Sequence, residues 1–366
     1  MRTFRQIARD MGRQWLEDWQ PGKSLPTYLE MQRQQGCAIK TFQQAMGVLI
    51  DQGWVTARPK AGTRLAALPP CQSRIALVLP GSVENDNYAT WRHTRRFEAF
   101  RLAAEQFNQA GGPLRVELFL EAGSDFGPGP GWPRLARDIE DEALYGVIWG
   151  FPPYHMLDDP LLRDPPIPTV FHNREYCRPA RWNASVQDRD SFWDTMARWL
   201  LRNGFERTAV VGSDTHEVGR SRALLEATGL TIPPGWLLGC NPHQPAWLGE
   251  TMRGLFDGPA RERPRAVMVT DDHLFERVAE ELEACGAAAT LVGLWNHPVP
   301  CGVRYPAWLC RVNTCRWLAK AVERLVEFRT TGTVSERNTL LSPDEDLTPL
   351  NQDGRVLDGL SAGVSG

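Results

Sequence analysis

Leu25-Pro-Thr-Tyr-Leu-Glu-Met-Gln-Arg-Gln-Gln-Gly36, Cys37-Ala-Ile-Lys-Thr-Phe-Gln-Gln-Ala-Met-Gly-Val-Leu-Ile-Asp51 and Gly53-Trp-Val-Thr-Ala-Arg-Pro-Lys-Ala-Gly-Thr-Arg-Leu65 form the stretch whose reading decides the fold. After Leu25-Pro26, Thr27 can cap a short helix through about Gln34, with Glu30 three residues on as its capping-box partner. Gly36 breaks that helix. The next, residues 38–51, is expected to bury Ile39, Phe42, Met46, Leu49 and Ile50 and to turn Lys40, Gln43, Gln44 and Gly47 outward. Gln pairs well with adenine, and Lys with guanine or a phosphate, so this face suits a major groove. Two short strands then flank a Pro-Lys-Ala-Gly turn, with Arg58, Lys60 and Arg64 projecting as a basic wing. Upstream, Phe4, Ile7, Ala8, Met11, Trp15, Leu16 and Trp19 recur at the three-and-four spacing of an amphipathic helix closed by Pro21-Gly22.

Charge supports a separate head. The 366 residues hold 41 basic and 44 acidic side chains, yet residues 1–68 alone carry ten basic and five acidic ones, a balance of +5 against −8 for the rest. Such an asymmetry marks either a polyanion-binding head on an acidic body or a solvated basic face. The boundary falls at Ala66-Ala-Leu-Pro-Pro-Cys-Gln-Ser-Arg74, where a Pro-Pro pair interrupts regular structure. Apolar stretches such as Ile75–Leu79 are too short to span a bilayer, and Met1–Asp10 lacks the apolar core of a secretory signal, so a cytoplasmic location is expected. Eight scattered cysteines are read as reduced thiols. Cys301, Cys310 and Cys315 lack zinc spacing, so no metal is expected.

From Ile75 onward, short apolar strands alternate with helical segments, and the rhythm restarts near Ser191. This predicts α/β lobes built from βαβ units, two of them, with ligand-facing residues just beyond the strand ends. Those positions are Pro80-Gly-Ser82, Trp149-Gly-Phe151, His172-Asn-Arg174, Ser213-Asp214, Asp271-Asp272 and Trp295-Asn296, with Tyr88 and Trp91 in the loop after the first strand. They are rich in carboxylates, amides and indoles, the groups that hold a polyhydroxylated ligand. Trp15, Trp19, Trp193, Trp199 and Trp317 sit at helical core spacings instead. A last strand is expected near Thr339–Leu341, ahead of a disordered tail.

The head resembles the GntR-type winged helix-turn-helix through Leu25-Pro-Thr27, Gly36, Thr41, Ala45, Leu49, Gly53, Val55, Arg58-Pro59 and Gly62-Thr63, which fall on that pattern without a gap. The resemblance implies double-stranded DNA as partner. It assigns contacts to Thr27, Lys40, Thr41, Gln43, Gln44, Arg58, Lys60, Gly62 and Thr63. Ala38-Ile39, Leu29 and Gln43 depart from it, standing where the family has Ser-Arg, Arg and a further cation. The body resembles the LacI/GalR effector domain, akin to periplasmic sugar-binding proteins, through Tyr145–Gly150, Ile167–Arg174, Leu200–Gly212 and Val269–Asp272 followed by Gly293–Asn296. By that resemblance Asn173, Arg174, Asp188, Asp271, Trp295 and Asn296 face the effector, and Arg220 is the nearest substitute for a missing arginine. Joined, the two resemble the arabinose-repressor arrangement.

The expected fold class is α/β: a winged head (1–66), a linker (67–74), a two-lobed periplasmic-binding-protein-like effector domain (75–345) and a tail (346–366). The candidate effector set is Ser82, Tyr88, Trp91, Trp149, Asn173, Arg174, Asp188, Arg220, Asp271, Asp272, Trp295 and Asn296. The expected partners are operator DNA, a small molecule, in the first place a carbohydrate, and a second copy of the chain. No phosphate-binding loop, dinucleotide fingerprint, nucleophile elbow or H-E-x-x-H occurs, and the only lysine after residue 60 is Lys320, so neither a catalytic set nor a cofactor is expected. The competing reading is a sugar sensor whose head no longer binds DNA specifically.

Overall fold

Thr3 and Thr27 each accept from the backbone N–H three residues on, while Gln6 and Glu30 return the bond to the cap backbone; these two capping boxes start the first two helices. The computed structural model describes residues 2–58, 62–79, 88–124, 127–151, 153–172, 181–186, 189–213, 215–240, 246–297, 303–333 and 347–350. The head comprises α1 (Phe4–Glu17), α2 (Tyr28–Gln35), α3 (Ile39–Asp51) and an antiparallel hairpin of β1 (Val55–Arg58) and β2 (Gly62–Leu65). Ile7, Met11, Met31, Phe42, Met46, Leu49 and Trp54 form its core, and Trp15 and Trp19 pack against it as their spacing predicted. Gly12 is where α1 meets Trp54: a Cβ there would lie 3.2 Å from the indole.

The linker is shorter and more ordered than its prolines imply. Pro70 opens a single helical turn, α4 (Pro70–Ser73), and Arg74 already belongs to the next strand. Lobe I contains β3 (Arg74–Leu79), α5 (Tyr88–Gln109), β4 (Arg115–Leu120), the small β5 (Gly123–Ser124) and β6 (Gly127–Pro128) ribbon, α6 (Trp132–Glu140), β7 (Gly146–Trp149), α7 (Pro160–Arg163), β8 (Thr169–Phe171) and β9 (Asn183–Ser185). Its sheet runs β4-β3-β7-β8-β9, all parallel. Lobe II contains α8 (Arg189–Arg202), β10 (Ala209–Gly212), α9 (Thr215–Ala227), β11 (Leu237–Gly239), α10 (Ala246–Phe256), β12 (Ala266–Val269), α11 (Asp272–Ala284), β13 (Thr290–His297) and β14 (Ala307–Asn313). The chain then returns to lobe I as α12 (Thr314–Thr331), packed on α5, β7 and β8, and comes back as β15 (Thr348–Pro349). The second sheet runs β11-β10-β12-β13-β14-β15, with only β15 antiparallel.

Three crossings therefore join the lobes: β9 to α8, β14 to α12, and α12 to β15. The last corrects the expected tail. Residues 347–350 close the lobe II sheet, with Leu347 and Leu350 buried, whereas 339–341 lie outside the described residues. Two residues set among Asp, Pro and Thr give too little apolar pattern to announce a strand. Tyr88 and Trp91 also differ from expectation, since both belong to helix α5 rather than to a loop.

Candidate functional site

On α3, Phe42, Ala45, Met46, Val48 and Leu49 turn inward and Lys40, Gln43 and Gln44 are exposed, as the helical pattern requires. Ile39 and Ile50 break the expectation: they are not core residues but 60% and 37% exposed. The core arc of α3 is filled by Phe42, Met46 and Leu49, and both isoleucines fall beyond its edge, beside Gln43. Thr41 is half-buried. Ala38 caps α3 without a side-chain hydrogen bond, which leaves the first-turn N–H groups open to an anionic partner.

The wing alternates cleanly. Gly62 and Arg64 point out while Thr63 and Leu65 point in, so Thr63, 8% exposed, contributes packing and a carbonyl that accepts from Leu25 N rather than an outward hydroxyl. Arg58 is exposed, and Lys60 lies outside the described residues. The Thr27 hydroxyl is committed to its cap, donating to Glu30 Oε2 at 2.8 Å, and the Thr27 backbone N–H, with that hydroxyl second, holds the Glu30 carboxyl below its ordinary range. A phosphate contact there requires the hydroxyl to leave Glu30. Thr27→Ala is expected to cost about 1 kcal/mol in thermal unfolding of the head; an unchanged melting profile would show that the cap contributes nothing.

The head does not hang free. Gln52, 2% exposed just after α3, donates to Asp138 (3.3 Å) and Asp141 (2.9 Å) at the end of α6, and its carbonyl oxygen Oε1 accepts from Trp54 Nε1 (3.2 Å). Arg9 on α1 pairs with Asp141 at 2.8 Å and Arg13 with Glu142 at 3.4 Å. Arg74 joins the two bodies: its guanidinium donates to Gln52 O (2.7 Å), to Glu117 (2.7 Å) and to Asp138 (3.3 Å). Burial pushes the Asp138 carboxyl up against the opposing pull of Arg74 and Arg137. Sequence reading missed this contact because its partners lie 22 to 132 residues apart.

The carboxyl ends of the lobe strands carry a second set of residues. Thr270 is fully buried, its backbone N–H and hydroxyl both donating to Val211 O, so β12 is tied to β10 where the chain reaches Asp271. Asp271 is buried at the junction of β12 and α11, and its backbone oxygen accepts from Leu274 N (3.1 Å). Asp272 opens α11 and is half-buried. Trp295 lies 4% exposed in β13, its ring 5.9 Å from Phe275. Across the sheets, His172 follows β8 with its ring 5.1 Å from Trp317 and 6.2 Å from Phe100.

Trp149 is a correction. It is wholly buried on the other side of the lobe I sheet, stacked on Phe171 at 6.5 Å and packed edge-on against Phe151, and so belongs to the core rather than to a ligand surface. Trp193, Trp199 and Trp317 are buried as expected. Ser82, Asn173, Arg174 and Asp188 lie outside the described residues, as do the side chains of Tyr88, Trp91, Arg220 and Asn296.

No family model matches the chain, and no curated protein matches it in sequence. Solved structures share its fold. A regulatory protein of the LacI family from Chloroflexus aggregans aligns with TM-score 0.55 at 17% identity, over 77% of this chain and 99% of that one. A LacI regulator from Lactobacillus casei with bound Tris gives 0.51 at 17% identity, over 77% and 99%. A LacI family transcription regulator from Clostridium acetobutylicum gives 0.51 at 12%, over 73% and 96%. The likeness at this identity establishes the fold.

Proposed function

We propose that the protein is a transcriptional regulator whose winged head binds operator DNA and whose two-lobed body binds a small molecule, with a carbohydrate as the leading ligand class. The observation that carries the reading is the exposed face of α3, where Lys40, Gln43 and Gln44 stand outward from a head that Arg9 and Gln52 fasten to lobe I. That face is a major-groove reader in shape and chemistry. The shared fold with LacI-family regulators supports the body as the sensor. Asp271 and Asp272, at the carboxyl end of β12, offer acceptors for hydroxyls. No step of chemistry is required of the chain.

As a dimer the protein would present two heads to two half-sites. Because each head is fastened to lobe I, ligand-driven closure of lobe II against lobe I changes the spacing of the heads directly. Ligand and DNA then alter each other's affinity reciprocally. The test is fluorescence anisotropy of the purified protein with duplexes from upstream of its own and neighbouring genes, repeated with pentoses, hexoses and disaccharides. Specific binding changed by one sugar establishes both halves. A salt-sensitive background alone favours the sensor whose head has lost specific binding. Lys40→Ala is expected to lower the salt slope of binding by about one unit; an unchanged slope removes Lys40 from phosphate contact.

A further inference from the structure

Among the described residues, eight large apolar side chains remain more than a third exposed, and four of them lie on the head: Tyr28, Leu29, Ile39 and Ile50, at 39%, 50%, 60% and 37%. Ile39 is the most exposed of them and is the first residue of α3. Gln43 lies one helical turn further on, on the same face, so the isoleucine and the amide are neighbours. Leu29 occupies the first turn of α2, the other helix of the pair. Lys40 is the only cation on α3, which has no arginine with which to fork onto guanine.

An A·T pair displays adenine N6 and N7, which a glutamine amide bridges, and beside them the thymine 5-methyl, which only an apolar group rewards. The pairing of Gln43 with Ile39 matches those two features side by side. A G·C pair offers no methyl, and an isoleucine against the cytosine amino group would desolvate it without a partner. We propose that Ile39, with Leu29 as the second apolar contact, reads thymine methyl groups in the major groove, so that the half-site is A·T-rich where the first turn of α3 lies. This specificity rests on the DNA-binding reading. The flanking cations Lys40, Arg58 and Arg64 supply the charge complementarity that favours DNA over an apolar protein surface as the occupant.

The test uses the full chain. Duplexes are enriched from a random-sequence pool, and each thymine of the enriched site is replaced in turn by uracil, which removes only the 5-methyl. At the contacted positions the uracil duplex is expected to bind about fourfold more weakly at fixed salt, the worth of one buried methyl group. Ile39→Ala, at an exposed position, is expected to lose a similar factor on the thymine duplex and to bind thymine and uracil forms alike. If a specific site emerges and every uracil is tolerated without loss, the thymine reading is overturned while DNA binding stands. If no sequence is enriched, DNA recognition itself fails, and the apolar face must serve a protein partner instead.

Discussion

Arg74→Met is expected to lower the unfolding free energy by about 3–5 kcal/mol, the cost of stripping its partner from a buried charge. Arg74 is 12% exposed and Asp138 is 1% exposed, so water cannot replace the lost guanidinium. Methionine keeps much of the volume, which isolates the charge. Asp138 already stands above the ordinary carboxylate range through burial, and removing Arg74 raises it further. A carboxyl that holds its proton more tightly when folded loses stability as pH rises through the interval between its unfolded and folded values. The deficit of the variant should therefore be greatest at neutral pH and should shrink as pH falls toward about 4, where the unfolded carboxyl also protonates. Arg74→Met with Asp138→Asn should recover most of the loss in urea unfolding. A double variant no better than the single one would show that Arg74 acts through Glu117 and the Gln52 carbonyl instead. The head should also become easier to cleave near exposed Ala67 and Leu68, because the Arg74 bond to Gln52 O is lost with the charge.

Asp271→Asn is expected to abolish the response to ligand while leaving the DNA affinity of the unliganded protein unchanged. A ligand shifts a conformational equilibrium only by its differential affinity for the two states, and allosteric couplings usually lie in the range of about 5–150-fold. A hydrogen bond to a charged acceptor contributes roughly 1.5–3 kcal/mol, enough to carry that whole factor. Asp271 is placed for the role by its burial at the end of β12, where Thr270 anchors the strand to β10 and α11 fixes the other side. Asparagine keeps the shape but exchanges one acceptor oxygen for a donor and removes the charge. The measurement is anisotropy with and without the responding sugar. A variant that still responds takes Asp271 out of the site.

The alternation of strands and helices was legible from Ile75 onward because parallel strands are apolar on both faces and the helices between them keep a 3.6-residue period. The same property hid the position of Trp149. In Gly146-Val-Ile-Trp149 every residue is buried, and a run without alternation does not tell which side of the sheet an indole occupies. Ile39 and Ile50 depart from the pattern for the opposite reason: they lie at the margin of a stripe, where a few tens of degrees decide between core and surface. Capping chemistry was legible at Thr27 and Glu30, being local. The docking of the head was not, because carboxylates at 138, 141 and 142 in a charged sequence carry no mark of the cations they will meet.

Among the described residues of the head, Arg2, Arg9, Arg13 and Lys23 are engaged by carboxylates of the same chain, two of those carboxylates on lobe I. Each engaged cation is one fewer to displace condensed ions from bulk DNA, and non-specific affinity depends steeply on that number. For the proposed regulator this bears on the search. A head with full charge would spend its time bound along the chromosome, which offers on the order of a million or more competing sites. One with part of its charge turned inward dissociates sooner and samples more sequence per unit time, and it leaves selectivity to the few side chains that meet base edges. Charge-reversing Asp141 and Glu142 would therefore slow the search more than it would change the final occupancy of the operator.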